Sequence, residues 1–248
     1  MWRLNRRLSF GRALLKNGTP DKPDVKRITA LHRDSRCETK RGCDLTAGRA
    51  PIIGIAGGIG SGKSTVASIF EEMGARVIDS DRLNHEVLNT PDVLATLQQW
   101  WGPRVVASDG TADRAYIGRV VREDTASLRQ LESLVHPLIA QKSERLIAAW
   151  KVDPNVTAII WDAPLLFEVG LDQRCDVVVF VDADRAVRIE RLRHGRNGTP
   201  EDWLRLEKSQ KPLDFKKDKA DYTIENNSNK ESLRPRIREI FSRILSGT

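Results

Sequence analysis

Ile52-Ile53-Gly54-Ile55-Ala56-Gly57-Gly58-Ile59-Gly60-Ser61-Gly62-Lys63-Ser64-Thr65 sets the architecture of this chain. Its first five residues predict a buried strand. Gly57 to Ser64 then match the spacing G-x-x-x-x-G-K-[ST] of a phosphate-binding loop. Val66, Ile69, Phe70 and Met73 follow at helical spacing, and Gly74 closes that helix. Strand, glycine loop and helix in this order are the context the motif needs. An ordinary glycine-rich turn would not require Gly57, Gly58, Gly60, Gly62, Lys63 and Ser64 in this register.

The spelling of the loop has a chemical reason. Glycines let successive backbone N–H groups turn inward onto phosphate oxygens, and the start of a helix adds its positive dipole end. The expected ligand is ATP, cradled by Gly57, Gly58, Ile59, Gly60, Ser61 and Gly62. Lys63 is expected to neutralise the β- and γ-phosphates, Ser64 to ligate Mg²⁺, and Thr65 to bond the α-phosphate.

Composition narrows the class. A chain of 248 residues with 40% apolar and 30% charged residues can bury one sizeable α/β core. No apolar stretch reaches the length of a membrane span. Cys37, Cys43 and Cys175 show no metal or redox spacing, so reduced thiols and a cytoplasmic setting are expected. The net charge of +7 is unevenly placed: residues 1–50 hold 13 Lys+Arg against 5 Asp+Glu, and the remainder is nearly neutral. A nucleic-acid-binding body is therefore not expected. Residues 1–50 read as a basic, disordered extension. Its first twenty residues carry Arg3, Arg6, Arg7, Arg12 and Lys16 without an acid, which fits a tail, a start placed too far upstream, or an organellar transit peptide.

Residues 51–248 read as one P-loop domain of the α/β class, with about five short parallel strands flanked by helices; the loop alone suits a GTPase, a motor, a helicase or a small-molecule kinase. A strand is expected over 75–81, and helices over 82–89 and from Pro91 to Trp101. Two more span about 114–150, the second long and bent at Pro137. Strands are expected over 156–161, 176–181 and 221–225, a basic helix over 185–193 and a closing helix over 231–245. Unbroken apolar strands alternating with helices mean a parallel sheet covered on both faces. Residues 82–150 then form a helical acceptor subdomain, and 190–220 a lid.

Three groups narrow the reaction. Asp79 and Asp81 stand at the expected end of the second strand, pointing the same way, where a carboxylate can orient an acceptor hydroxyl. Either can instead cap the following helix. Asp162 follows an apolar strand, where an acid supports Mg²⁺ or simply ends a turn. Arg185, Arg188, Arg191, Arg193, Arg196 and Arg205 suit a lid that brings guanidinium groups onto phosphates, or a solvated basic helix. The Asn-Lys-x-Asp signature of GTPases is absent, because Asn229-Lys230-Glu231-Ser232 lacks the final Asp.

These residues also carry a resemblance. Gly54 to Thr65, Val77-Ile78-Asp79-Ser80-Asp81 with His85, and Leu131 to Ile139 around His136-Pro137 are similar to the dephospho-CoA kinase family. So are Asp162-Ala163-Pro164-Leu165-Leu166-Phe167-Glu168, then Gln210, Pro212-Leu213, Lys216 and Ala220 to Asn226. The resemblance covers roughly 52–245. It implies transfer of the ATP γ-phosphate to the ribose 3′-hydroxyl of dephospho-CoA, with Mg²⁺. It puts Asp81 and Lys63 in catalysis, with Arg191 or Arg196 on the transferring phosphate and Asn226 near the nucleotide base. Asp79, His85, His136, Pro164, Leu165, Leu166, Phe167 and Glu168 fall on the acceptor side, and Ser64 and Asp162 on the metal. Leu165 to Phe167 offer an apolar wall to a pantetheine arm, or core packing. His136 contacts the acceptor, or is a helix-packing histidine. Glu207-Lys208-Ser209 depart from the small residues common before the lid Gln. Two rivals are a kinase of the same fold for a nucleoside or sugar, and a nucleotide switch or nucleic-acid-associated ATPase that uses the basic extension. The small-molecule substrate is expected to be the partner; oligomeric state is left open.

Overall fold

The computed structural model describes residues 49–195, 199, 203, 206–208 and 210–247. Five parallel strands make one sheet: β1 (Ile52–Gly57), β2 (Arg76–Asp79), β3 (Ile159–Asp162), β4 (Val177–Asp182) and β5 (Tyr222–Glu225). Their order is β2-β3-β1-β4-β5. Ile55 of β1 stands level with Asp162 of β3, and Asp79 of β2 lies level with Asp162 on its other side. The phosphate loop and two acids thus share the C-terminal edge of the sheet.

Eight helices are found among the described residues. They are α1 (Lys63–Glu72), α2 (Ser80–Leu88), α3 (Pro91–Trp101), α4 (Arg114–Glu123), α5 (Thr125–Lys151), α6 (Arg185–Gly195), α7 (Leu213–Lys219) and α8 (Lys230–Ser246). All six residues of β1 are buried, as a central strand covered on both faces requires. Alternation sends Ile53 and Ile55 to one face, against Val66 and Phe70 of α1 and Ile237 and Phe241 of α8. Phe70 and Phe241 meet there edge to face, 5.2 Å between centroids. Ile52 and Ala56 point to the other face, among Ile147, Trp161, Leu166, Phe167 and Phe180.

Helices α2 to α5 close a third cluster of their own: Val87, Leu88, Val93, Leu97, Ile117, Val121, Leu131 and Val135. Ile139 packs against both this cluster and the second face of the sheet. The stretch 82–150, expected as an acceptor subdomain, forms this helical lobe. α5 begins where Asp124 accepts the N–H groups of Ala126 and Ser127, and it continues through Pro137.

Two boundaries differ from expectation. β2 stops at Asp79, and Ser80 and Asp81 already belong to the first turn of α2. The two aspartates are therefore not strand neighbours sharing a face. β3 is shorter than its apolar run and ends on Asp162 itself. The extension 1–48 and the middle of the 190–220 stretch, with Arg196 and Arg205, lie outside the described residues.

Candidate active site

The loop between β1 and α1 is shaped by its contacts. Gly57 has φ +153°, and a Cβ there would stand 2.6 Å from the Val181 carbonyl oxygen of β4. Gly62 has φ +88°, and its Cβ would fall 2.3 Å from Asn226 Nδ2. Only glycine fits either place. Ile59 is buried, so its backbone alone faces a ligand. Ser61 is fully buried, and its hydroxyl has no hydrogen-bond partner among the described residues. Lys63, Ser64 and Thr65 open α1, so their N–H groups have no intrahelical acceptor and form an anion-binding end.

Lys63 Nζ donates to the carbonyl oxygens of Gly57 at 3.1 Å and Gly58 at 2.9 Å, clasping the loop. Burial lowers its pKa to about 8; the carboxylates of Asp162 and Asp81 resist the fall, while Lys216 and Arg188 add to it. Ser64 Oγ donates to Asp162 Oδ2 at 3.2 Å. A hydroxyl and a carboxylate suit a hard cation that takes its remaining oxygens from phosphate and water. Among the described residues no group of three or more His, Cys, Asp or Glu could hold a metal ion. Burial raises the pKa of Asp162, with Lys63 opposing.

Asp79 uses its carboxylate as a helix cap, accepting the Arg82 N–H at 2.9 Å. Asp81, in the first turn of α2, is exposed. Partial burial and then the charge of Asp79 raise its pKa; Arg114 and Lys63 pull the other way. Arg114, at the start of α4, went unnoticed in the sequence because nothing local distinguishes it from other surface arginines.

Arg191 makes four hydrogen bonds to the protein. Its Nη1 donates to the Asn226 carbonyl oxygen at 2.9 Å and to that of Ser61 at 3.4 Å. Its Nη2 donates to Asn226 Oδ1 and to the Ser228 carbonyl oxygen, both at 3.1 Å. The guanidinium is engaged by the protein, strapping the loop after β5 to the phosphate loop. Asn226 is equally occupied: buried, it donates from Nδ2 to the Ser61 carbonyl oxygen at 2.7 Å. Its amide is thus a strut under the loop. Arg188, also buried, lies against Gly58 and bridges the Ile59 carbonyl oxygen and Glu207.

On the acceptor side, Leu166 and Phe167 are core residues, so the apolar wall expected from Leu165 to Phe167 is not built by those two. Leu166 packs against Gly54. Pro164 and Leu165 are half-buried. Glu168 pairs with the buried Lys216 at 2.9 Å. His85 on α2 and His136 on α5 are both exposed, and neither ring has a hydrogen bond among the described residues, so His136 is not a packing histidine.

Comparison with known proteins gives the family. The family model described as dephospho-CoA kinase matches residues 51–232. The chain belongs to the dephospho-CoA kinase family. It is 35% identical to the dephospho-CoA kinase of Syntrophotalea carbinolica over 79% of this chain and 93% of that one. It is 36% identical to that of Corynebacterium glutamicum over 78% and 97%. The crystal structure of TT1252 from Thermus thermophilus superposes with a TM-score of 0.67 at 29% identity, covering 78% of this chain and 97% of that chain. Dephospho-CoA kinase from Campylobacter jejuni, at 20% identity and TM-score 0.57, shares the fold. The family match begins at residue 51, where the basic extension ends.

Proposed function

We propose that this protein transfers the γ-phosphoryl group of ATP to the ribose 3′-hydroxyl of dephospho-CoA, forming coenzyme A and ADP. The observation that carries this reading, beyond family membership, is that the phosphate loop with Lys63, the Ser64–Asp162 bond and the Asp79–Asp81 turn that opens α2 all sit at the C-terminal edge of the sheet. Phosphoryl transfer needs positioning and charge neutralisation more than covalent help. Lys63 and the N–H groups opening α1 hold the phosphates. Asp81 accepts the proton of the attacking hydroxyl, whose oxygen bonds to the γ-phosphorus as the bond to the β–γ bridging oxygen breaks. Bound Mg²⁺, held by Ser64 and Asp162, would supply charge neutralisation across the β- and γ-phosphates.

Pro164, Leu165 and Glu168 remain the acceptor-side contacts of the turn after β3, with His85 and His136 on the lobe. Arg191 and Asn226 act as positioning residues for the nucleotide loops. Among the described residues no helix is long and apolar enough to cross a membrane. A cytoplasmic setting fits the buried thiol of Cys175, and cell fractionation checks it.

The test is ATP consumption with Mg²⁺ when dephospho-CoA, adenosine and a sugar panel are offered separately. A product heavier by one phosphate from dephospho-CoA alone is expected. Transfer only to another acceptor would overturn the substrate reading. Asp81→Asn should lower kcat on the order of 10²–10⁴-fold, the usual range for a positioned acid–base group, with KM for ATP little changed.

A further inference from the structure

The three lysines of α7, Lys216, Lys217 and Lys219, look alike in sequence, yet they are used differently. Lys217 pairs with Asp182 of β4 at 2.7 Å, and Lys219 is exposed. Lys216 is 2% exposed. Its Nζ lies 2.9 Å from Glu168 Oε1 and donates to Gln210 Oε1 at 3.1 Å. Glu168 Oε1 also accepts the backbone N–H of Lys211 at 2.8 Å. The other oxygen, Oε2, is buried and has no hydrogen-bond partner among the described residues. Glu168 stands on the turn that leaves β3 at Asp162, and the charge of Lys216 reaches Lys63. The pair is therefore part of the surroundings of the phosphate loop.

Stability does not explain this arrangement. A buried ion pair recovers its desolvation cost only when its remaining lone pairs are filled, and an apolar pair of equal volume holds a core at least as well. Here one carboxylate oxygen is fixed on two sides while the other is left to accept.

We infer that Lys216 is a positioning residue of the acceptor site: by pairing with Glu168 Oε1 it turns Oε2 toward a hydrogen-bond donor of the acceptor, a hydroxyl or an amide N–H. The inference rests on the dephospho-CoA reading and deepens it. A carboxylate repels the acceptor's phosphates, so the donor belongs to an uncharged part of the molecule. Dephospho-CoA offers two such sources, the ribose 2′-hydroxyl and the pantetheine amides.

Steady-state kinetics of the full chain test it, with Glu168→Gln, Lys216→Met and the double variant, each checked for Tm. Each single variant should raise KM for dephospho-CoA about 10- to 100-fold, the worth of a hydrogen bond to a charged group, while KM for ATP stays nearly unchanged. The double variant should be no worse than the poorer single one, because the two side chains act as a unit. Among acceptor analogues, the one lacking the donor (2′-deoxyribose or shortened arm) should lose its sensitivity to Glu168→Gln. Equal rises in both KM values, additive effects, or a fall in Tm alone would make the pair structural and overturn the inference. Should Lys216→Met fail to fold, the nearly isosteric Glu168→Gln carries the comparison. Should the wild type ignore dephospho-CoA, the substrate reading fails separately, and the same variants are read against the acceptor that does take phosphate.

Discussion

Asp79 and Asp81 are two residues apart and do different work. The first caps α2 and lends its charge; the second stands exposed in the first turn, where the proposed mechanism needs a base. Asparagine caps a helix about as well as aspartate, so Asp79→Asn removes only the charge. Asp81 works ionised: its contribution is present above its pKa and lost as pH falls through it. Burial and the neighbouring charge put that pKa above the usual carboxylate value. The acid limb of the kcat profile should therefore move to lower pH in Asp79→Asn, with Tm almost unchanged; an unmoved limb would show the charge is not felt. Lys63 gives the opposite limb. It binds phosphate as an ammonium, so kcat/KM for ATP should fall as pH rises through about 8. A profile flat well above that value would contradict its buried, depressed state. The sequence marked Lys63 and Asp81 because both lie inside a local pattern. Lys216 entered only as part of the resemblance and without a role, because its difference from Lys217 is which side of α7 meets the sheet, and its partner Glu168 is far away in the chain.

At the scale of elements, α6 and the loop after β5 are joined to the phosphate loop by one guanidinium. Arg191→Met removes its four bonds. If the strap holds the base-side loop in register, KM for ATP should rise roughly 10- to 100-fold with kcat largely kept, the scale of hydrogen bonds from a charged donor. Inhibition by inorganic tripolyphosphate, which has no base, should be little affected. A parallel loss of tripolyphosphate affinity and kcat would return Arg191 to the transferring phosphate. Most elements were legible because apolar runs and helical spacing are local signals, and even α5 with its internal Pro137 was expected. The end of β2 was not. Asp79-Ser80-Asp81 serves equally as a strand end and as the first turn of a helix, and the deciding bond, Arg82 N–H to Asp79, is a cap that alternation cannot reveal. The apolar Leu166 and Phe167 were ambiguous for a similar reason: core and binding wall ask for the same residue types.

Over the whole molecule, charge and fold are separate matters. Residues 1–50 carry more positive charge than the entire chain does net, while the family match starts at 51. A chain lacking 1–48 should keep the kcat and KM values of the full protein. Salt-sensitive polynucleotide binding, if the full chain shows any, should vanish with that segment. Loss of phosphoryl transfer on truncation would give the extension a catalytic share.

The division into cores has a further effect. Asp162 ends β3 and Lys63 opens α1, which packs on the sheet, whereas Asp81 stands in the first turn of the helix that closes the third cluster, and Ile139 packs against both the second face of the sheet and that cluster. If the two units open separately, a ligand held at once by Lys63 and Asp81 staples them, and its binding free energy becomes stability of the helical lobe. Amide exchange in α3 and α4 should slow on addition of ATP and acceptor more than exchange in β1 and β4. The gain would be about 2.7 kcal/mol at a hundredfold excess over Kd. Equal slowing everywhere would mean a single cooperative unit. On the first outcome, the substrates of this kinase are among the forces that keep it in one piece.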